Sequence, residues 1–395
     1  MPLNHGSFGA TPSEILVTQR HYREEFDLNR EGFLNNRFFN LLEDNRKAIS
    51  GFVKAKADDI VLIGNATEAV NAVFKSISLV AGDEILITNH AYANYPPLIE
   101  QIAQDRGFKV KIVNLPFPLE DESKIIEAFT EALTGKTKLA FFDHIISATS
   151  LILPVKEIVQ ALKEKGVESF VDGAQAIGQI DVNLSEIGAA YYAGNHHKWL
   201  CAPVASGFLH VRKGKQADVL PAIGSGTATR EHDFQERFSW IGTFDPSAVL
   251  CTGETIGFMN DLHPRGWPGI FEDNHNLAVQ ARDMLCQKLG IQEPCPDEMI
   301  GSMFSLPLGQ INFPQEILDN EAPHRRLAKL LKDECGYEVY GIASAQDEDT
   351  MLMRVSAHLY NDISQYERLA EDMCGLLQKY GVRQKPVDPV DILEF

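Results

Sequence analysis

The pattern that most constrains the fold of this 395-residue chain is an alternation of short apolar runs and helical segments between about residues 60 and 215. Apolar runs of strand type occur at 60–63, 84–88 and 139–142, and each is followed by a stretch with the apolar spacing of a helix. Continuous apolar strands of this kind are typical of a parallel sheet that is buried on both faces. We therefore predict an α/β fold whose large domain has a mainly parallel sheet covered by helices on both faces.

The character of the sequence changes after about residue 246. A long helical stretch is followed by short strand-like runs and a final helix over 363–379. We predict a large domain over 56–245 and a smaller α+β C-terminal domain over 246–395. Residues 1–55 are expected to form a helical segment that packs on both domains.

Charge and composition narrow the possible partners. The chain has 55 acidic and 36 basic residues, a formal net charge of −19, which disfavours nucleic acid or an anionic membrane as its main partner. It has no apolar run of about 18 residues, so we expect no membrane-spanning helix. The N-terminus lacks the pattern of a signal peptide, and the six cysteines have no metal-binding or redox spacing. These features predict a cytoplasmic protein with reduced thiols and no metal site.

An acid at a strand end and a lysine further along the chain give the clearest indication of chemistry. Asp172 ends an apolar run, and Lys198 lies in a turn between the strand-like runs 190–193 and 207–211. Ligands of open α/β sheets bind at the carboxyl ends of the strands. A lysine that forms a Schiff base, with an acid that keeps a ring nitrogen protonated, is the arrangement that holds pyridoxal 5'-phosphate. The alternative for Asp172 alone is a helix cap.

A turn of small residues after the first strand is a candidate phosphate site. The residues around Thr67 open a helix, where backbone N–H groups and a hydroxyl favour an anion. The same residues are also typical of an ordinary helix cap. His197, beside the lysine, is expected to add a donor near the phosphate. A zinc site on His196 and His197 is disfavoured, because adjacent side chains of an extended segment point in opposite directions.

Two further side chains are candidates for contacts with the cofactor and the substrate. Tyr92 directly follows a strand and is predicted to stack on the flat cofactor ring, with His90 as the alternative. Arg354 is a single cation in an apolar strand, where a substrate carboxylate would satisfy its guanidinium. A tyrosine packed between domains and a structural salt bridge are the respective alternatives.

Together these residues resemble the class V aminotransferase family, of fold type I among pyridoxal-phosphate enzymes, over nearly the whole chain. Within that family, the sequence is most similar to the isopenicillin N epimerase-like branch, which also includes C–S lyases. The motifs that carry the resemblance are Leu3-Asn4-His5-Gly6-Ser7-Phe8-Gly9, Asn65-Ala66-Thr67-Glu68-Ala69, Asn89-His90-Ala91-Tyr92, Asp172-Gly173-Ala174-Gln175, His197-Lys198-Trp199, Gly242-Thr243 and Met353-Arg354-Val355-Ser356.

The resemblance implies a role for each of these positions. Lys198 is the Schiff-base lysine and proton shuttle, and Asp172 pairs with the pyridinium nitrogen. The remaining implied cofactor ligands are Gln175 near the ring hydroxyl, Ser147 as a polar group against the cofactor, and Ala66, Thr67 and His197 at the phosphate. Thr243 resembles a threonine that reaches the phosphate from the neighbouring subunit, which implies a homodimer with shared active sites. Arg354 matches the binder of the substrate α-carboxylate, and Asn4 and His5 are expected to contact the substrate.

The reaction is less constrained than the cofactor. The family's cysteine desulfurases carry a nucleophilic cysteine shortly before the carboxylate-binding arginine, but residues 340–353 contain none. We predict an enzyme that forms an external aldimine with an amino acid and removes its α-proton, followed by β-elimination of sulfur in a C–S lyase reaction. The alternatives are an amino-acid epimerase, an aminotransferase and a non-catalytic binding module. Tyr92 would serve either as the second acid or base of an epimerase or as the donor near the leaving group in the elimination.

Overall fold

Two β-sheets organise the chain in a computed structural model, which describes residues 1–318, 321–345, 350–380 and the backbone of 384 and 385. The strands are β1 (Ile60–Ile63), β2 (Glu84–Thr88), β3 (Lys109–Val113), β4 (Thr137–Asp143), β5 (Glu168–Asp172), β6 (Tyr191–Asn195), β7 (Gly207–Val211), β8 (Met303–Ile311), β9 (Tyr340–Ala343), β10 (Thr350–Ser356) and β11 (Gln384–Lys385). The larger sheet has the order β1-β7-β6-β5-β4-β2-β3, and the smaller has the order β11-β8-β10-β9.

Fourteen α-helices accompany these strands in the described part of the chain. They are α1 (Ser13–Leu28), α2 (Arg30–Phe33), α3 (Phe39–Phe52), α4 (Ala66–Ser76), α5 (Tyr95–Arg106), α6 (Ser123–Ala132), α7 (Val155–Glu164), α8 (Leu184–Ile187), α9 (Phe234–Ser239), α10 (Thr252–Asp261), α11 (Gly266–Leu289), α12 (Gln315–Leu318), α13 (Pro323–Cys335) and α14 (Ile363–Lys379). A π-helical turn, Leu34–Phe38, joins α2 to α3. None of these helices is long and apolar enough to cross a membrane.

The larger sheet is mainly parallel, as the apolar runs predict. Strands β2 to β6 pair in parallel, and only β7 runs antiparallel to its neighbours β1 and β6. Every residue of β1, β6 and β7 is buried. One buried apolar cluster contains Leu86, Phe142 and Val171, and a second contains Ile87 and Phe141 from the same strands, so both faces of the sheet are covered. The predicted fold class is confirmed.

The N-terminal segment contacts elements that lie far from it in the sequence. The backbone of Leu3 bonds to Glu338 and to Ser356, at the smaller sheet. Ile15 and Tyr22 of α1 pack in one apolar cluster with Leu250. The segment contains the three helices α1, α2 and α3, and its packing on both domains stays a prediction. The domain limits at residues 55 and 245 stay a prediction.

Candidate active site

A cavity of about 380 Å³ opens at the carboxyl ends of the parallel strands. Strands β4, β5 and β6 end at Asp143, Asp172 and Asn195, and all three residues line it. The lining is completed by Gly6, Ser7, Phe8, Asn65, Thr67, Tyr92, Tyr95, Ser147, Ala174, Gln175, His197, Lys198, Val204, Ala205, Tyr340 and Arg354. The volume lies in the range of about 300–1,000 Å³ that is usual for small-molecule sites, and the position is the one expected for an open α/β sheet.

Lys198 lies in the turn between β6 and β7, as predicted, and its side chain lines the cavity. The turn is fixed by the next residue, because the buried indole of Trp199 donates to Gln175 Oε1 at 2.8 Å. Burial lowers the pKa of Lys198 to about 8, although the nearby charge of Asp172 acts in the opposite direction. A substantial share of this amine is therefore neutral near physiological pH, and a neutral amine is the form that attacks a carbonyl carbon.

Two buried carboxylates face the lysine, and the sequence predicted only one of them. Asp143 and Asp172 are paired in register on β4 and β5. Asp172 accepts a hydrogen bond from the N–H of Ala174 at 2.8 Å. Burial raises the pKa of both acids, and the charge of Asp172 raises that of Asp143 further. The signal for Asp143 was available, because it ends a buried strand just as Asp172 does.

The predicted phosphate ligands lie at the start of α4 and beside Lys198. Thr67 and His197 line the cavity, and His197 Nδ1 lies 2.9 Å from the carbonyl of Ser206, which orients the ring. Ala66 is buried, and its N–H donates to Asn195 Oδ1 at 2.8 Å. Asn65 caps the helix by accepting from the N–H of Glu68 at 2.9 Å. Asn65 therefore caps the helix while Thr67 lines the cavity, so the helix cap and the candidate phosphate site are compatible.

Gln175, Ser147 and Tyr92 all line the cavity, but the first two also hold other parts of the site together. Gln175 donates to the carbonyl of Gly6 at 2.8 Å and accepts from Trp199, so it joins the N-terminal segment to the lysine turn. Tyr92 is 38% exposed. Its neighbour Tyr95, which the sequence did not single out, is buried, and the pKa of its hydroxyl is raised by burial and by the charge of Asp172.

Arg354 lies on β10 and is completely enclosed. Its Nη1 group donates to the carbonyl and hydroxyl of Ser147, at 2.8 and 3.0 Å. Its Nη2 group donates to Asn4 Oδ1 at 3.1 Å and to Ser7 Oγ at 2.6 Å. The ring of Tyr340 lies 4.8 Å from the guanidinium carbon, and Nε has no hydrogen-bond partner among the described residues. Ser147 and Asn4, predicted as cofactor and substrate contacts, here hold the guanidinium.

Five candidate site residues lie outside the cavity lining of this chain: Asn4, His5, Ala66, His90 and Thr243. His5 is buried beside Trp199, and its Nε2 lies 3.1 Å from the carbonyl of Lys198. His90, the alternative to Tyr92, is buried with Nε2 3.0 Å from the carbonyl of Leu115. Thr243 does not line the cavity of its own chain either. The direct substrate contact predicted for His5 has no support in this geometry.

The residues present fit pyridoxal 5'-phosphate. A buried lysine with a lowered pKa suits the aldehyde, and the buried Asp172 suits a pyridinium nitrogen, because burial raises its pKa and a further cation would favour its charged form. A hydroxyl at a helix N-terminus and a histidine suit the phosphate. These groups converge on one cavity from β5, α4 and the turn after β6.

Comparisons with known proteins agree with this assignment. A family model described as aminotransferase class-V matches residues 11–369. A probable chloroplastic L-cysteine desulfhydrase of Arabidopsis thaliana is 31% identical, over 95% of this chain and 82% of the relative. An isopenicillin N epimerase of Streptomyces clavuligerus is 30% identical, over 95% of this chain and 94% of the relative. The structure of a cystine C–S lyase superposes with a TM-score of 0.76 at 18% identity, covering 94% of this chain and 96% of that one.

These findings confirm the predicted resemblance, the prediction of an enzyme and the predicted cofactor. The relatives include both C–S lyases and epimerases, as the predicted branch does. The chain belongs to the class V aminotransferase family of pyridoxal-phosphate-dependent enzymes.

Proposed function

We propose that this enzyme is a C–S lyase, which releases the β-sulfur group of cysteine or a cysteine S-conjugate. With water, the products are the free thiol or sulfide, ammonia and pyruvate. The observation that carries the proposal is the composition of the cavity, which joins a lysine base to an arginine for the carboxylate but includes no cysteine in its described lining. Relatives named L-cysteine desulfhydrases support the same assignment.

The state of the thiols argues against a persulfide-forming mechanism. A desulfurase needs a nucleophilic thiolate, and thiolates form readily only where the pKa is low. Burial raises the pKa of the Cys201 thiol to about 12, and Cys201 is three residues from Lys198. Burial also raises the pKa of Cys335, the cysteine nearest in sequence before Arg354. Neither thiol is therefore suited to attack the substrate sulfur.

The chain's own groups divide the work between the two ends of the cavity. The bound cofactor supplies an electron sink for the charge that is left at the substrate α-carbon. We assign removal of the α-proton to Lys198 Nζ, because a base works best when its pKa lies near the working pH. Arg354 holds the α-carboxylate, which would replace Asn4 and Ser7 as hydrogen-bond acceptors. Tyr92 is the candidate donor to the departing sulfur.

Analysis of the products tests this proposal. The purified holoenzyme is incubated with L-cysteine and with an S-alkyl cysteine or its sulfoxide, and pyruvate, thiol and amino-acid configuration are measured. The proposal requires pyruvate in an amount equal to the sulfide released from L-cysteine, the thiol released from the S-alkyl cysteine, or the sulfenic acid released from the sulfoxide. Recovery of the D-amino acid without pyruvate would show an epimerase instead, and dependence on an added keto acid without release of thiol would show a transaminase.

The same proposal includes a homodimer in which Thr243 completes the phosphate site of the partner subunit. It is supported by apolar side chains at the cavity, because Phe8 and Val204 line it and yet are 76% and 63% exposed. Co-refolding of Lys198→Ala and Thr243→Ala chains tests it. If the active sites are shared, mixed dimers would regain one intact site and partial activity. If each site is formed by a single chain, the mixture would be as inactive as each variant alone.

We also propose a cytoplasmic location, with amino acids as the small-molecule partners. All six cysteines are free, which is consistent with a reducing compartment. Fractionation of the source cells tests this location, and recovery of the enzyme in an organelle would contradict it.

A further inference from the structure

A compact cluster of soft ligands lies directly behind the lysine turn. Cys201, His5 and His358 are all buried, and one ligand atom from each lies within 4.8 Å of the others. Cys201 Sγ is 3.7 Å from His5 Nε2 and 3.6 Å from His358 Nε2. None of the three lines the active-site cavity, and the reaction proposed above uses none of them.

The separations match the edges of a metal-centred tetrahedron. Zinc binds thiolate sulfur at about 2.3 Å and imidazole nitrogen at about 2.0–2.1 Å, so tetrahedral angles place sulfur and nitrogen about 3.6 Å apart. The carbonyl oxygen of Lys198 lies 3.1 Å from His5 Nε2, on the same side of the cluster. That oxygen or a water molecule would fill the fourth position.

The groups around the cluster are also those of a metal site. Tyr360 Oη lies 2.8 Å from His5 Nδ1, so the second ring nitrogen of that ligand is held, as is usual for metal-binding histidines. The rings of His5 and His358 stack with their centroids 4.2 Å apart, so binding of one metal by both requires one ring to rotate, because a metal lies in the plane of the imidazole that binds it. The buried His358 Nδ1 has no partner among the described residues, so no hydrogen bond at that nitrogen opposes a rotation of this ring toward a metal.

We propose that Cys201, His5 and His358 form a structural Zn²⁺ site. On binding, the thiol of Cys201 loses its proton to solvent and the sulfur bonds to the metal, with no change of oxidation state. The three ligands come from the N-terminal segment, the lysine turn and the segment after β10. Since Asn4 and Ser7 of that N-terminal segment bond to Arg354, the metal would fix the carboxylate-binding end of the site to the lysine end. The sequence spacing gave no sign of this site, because successive ligands are 196 and 157 residues apart.

Metal analysis of the untagged holoenzyme tests the site. After dialysis against a chelator, the protein is supplied with Zn²⁺ or with Co²⁺, and bound metal and the visible spectrum are measured. The expected result is one zinc per chain, and a cobalt spectrum with a thiolate charge-transfer band and the strong d–d bands of tetrahedral geometry. Cys201→Ser should abolish the charge-transfer band, and His358→Gln should weaken Zn²⁺ binding at least tenfold.

Cys286→Ser is the matched control, since Cys286 is a buried thiol whose contact is the carbonyl of Gln292 at 3.8 Å. It should bind zinc as the wild type does. The proposal fails if the wild-type chain takes up no zinc, or if Cys201→Ser keeps full stoichiometry. If Cys201→Ser does not fold, the wild-type cobalt spectrum decides, because absence of the thiolate band is sufficient to reject the site.

Discussion

The two ends of the active-site cavity are built in different ways. At the lysine end, the functional groups lie at the ends of β5 and β6 and in the turn after β6, so the backbone of one sheet sets their positions. At the arginine end, a guanidinium on the smaller sheet is satisfied by Ser147, Asn4 and Ser7, which come from loops far away in the sequence. We infer that the sheet fixes the positions of the reacting groups, whereas substrate recognition depends on hydrogen bonds of Arg354 that a substrate carboxylate can replace.

Removing the amine at the lysine end should have the largest effect. Lys198→Ala is expected to lower kcat by about 10⁴-fold, since it removes the base whose contribution reaches about 10²–10⁴-fold on its own. Steady-state release of pyruvate measures this loss. Lys136→Ala, at an exposed position, is the control and should leave kcat unchanged. A Lys198→Ala enzyme with more than a few per cent of wild-type kcat would contradict the assignment of the base.

The paired carboxylates at the same end should differ in importance. Asp172→Asn removes the charge expected to face the ring nitrogen and should lower kcat by about 10²–10³-fold, the loss typical of one electrostatic group in an active site. Asp143→Asn should lower kcat less, because burial and the charge of Asp172 raise the pKa of Asp143, which favours its neutral form, and an amide resembles a neutral acid. Equal losses in the two variants would mean that both acids act as charges.

The arginine end should respond mainly in KM. Arg354→Lys keeps the charge but loses the two-pronged geometry, so KM should rise tenfold or more, since hydrogen bonds to charged groups contribute about 1.5–3 kcal/mol. Arg282→Lys is the control, because Arg282 is also buried but bonds to Cys295 and Asp283 away from the cavity. A loss confined to kcat in Arg354→Lys would place this residue in the chemistry instead.

The pH dependence of cofactor capture should report on the lysine end alone. Because the pKa of Lys198 is lowered from 10.5 to about 8, the neutral amine of the apoprotein declines about tenfold per pH unit only below pH 8. The rate of pyridoxal phosphate binding, followed by absorbance, should therefore rise up to about pH 8 and then level off. A rate that continued to rise toward pH 10.5 would show an unperturbed lysine.

The contact between the two ends should be sensitive to packing, with the smallest effect of the set. A Cβ on Gly9 would lie 2.0 Å from the carbonyl oxygen of Lys198. Gly9→Ala should therefore lower the free energy of unfolding by about 1–3 kcal/mol, measured by denaturant titration. Gly51→Ala in α3 meets no heavy atom within 4 Å and should be neutral or slightly stabilising. Similar free energies of unfolding for both variants would mean that the N-terminal segment can move away from the lysine turn without loss of stability.

Sequence reasoning succeeded where local pattern decides structure. The bounds of β2 and α14 are those that the apolar pattern indicated, and Asp172 and Lys198 were found because each lies next to a strand. The prediction of one long helical stretch after residue 246 was wrong. The helix is interrupted between α10 and α11 around Pro264, whose ring cannot continue a helix.

Contacts between distant segments were beyond the sequence pattern. The partners of Arg354 are separated from it by 207 to 350 residues, so nothing in the local spacing shows that Asn4 and Ser147 hold the guanidinium. Asp143 was missed because the apolar run was ended one residue too early, at Phe142. Such contacts arise only when the two sheets and the N-terminal segment come together.

The site of covalent attachment of the cofactor tests the central claim most directly. The holoenzyme is reduced with borohydride, digested and analysed by peptide mass spectrometry. The account predicts the mass of the reduced cofactor on Lys198 alone, and no cofactor adduct in Lys198→Ala. Attachment to another lysine, or an adduct that persists in the variant, would contradict it.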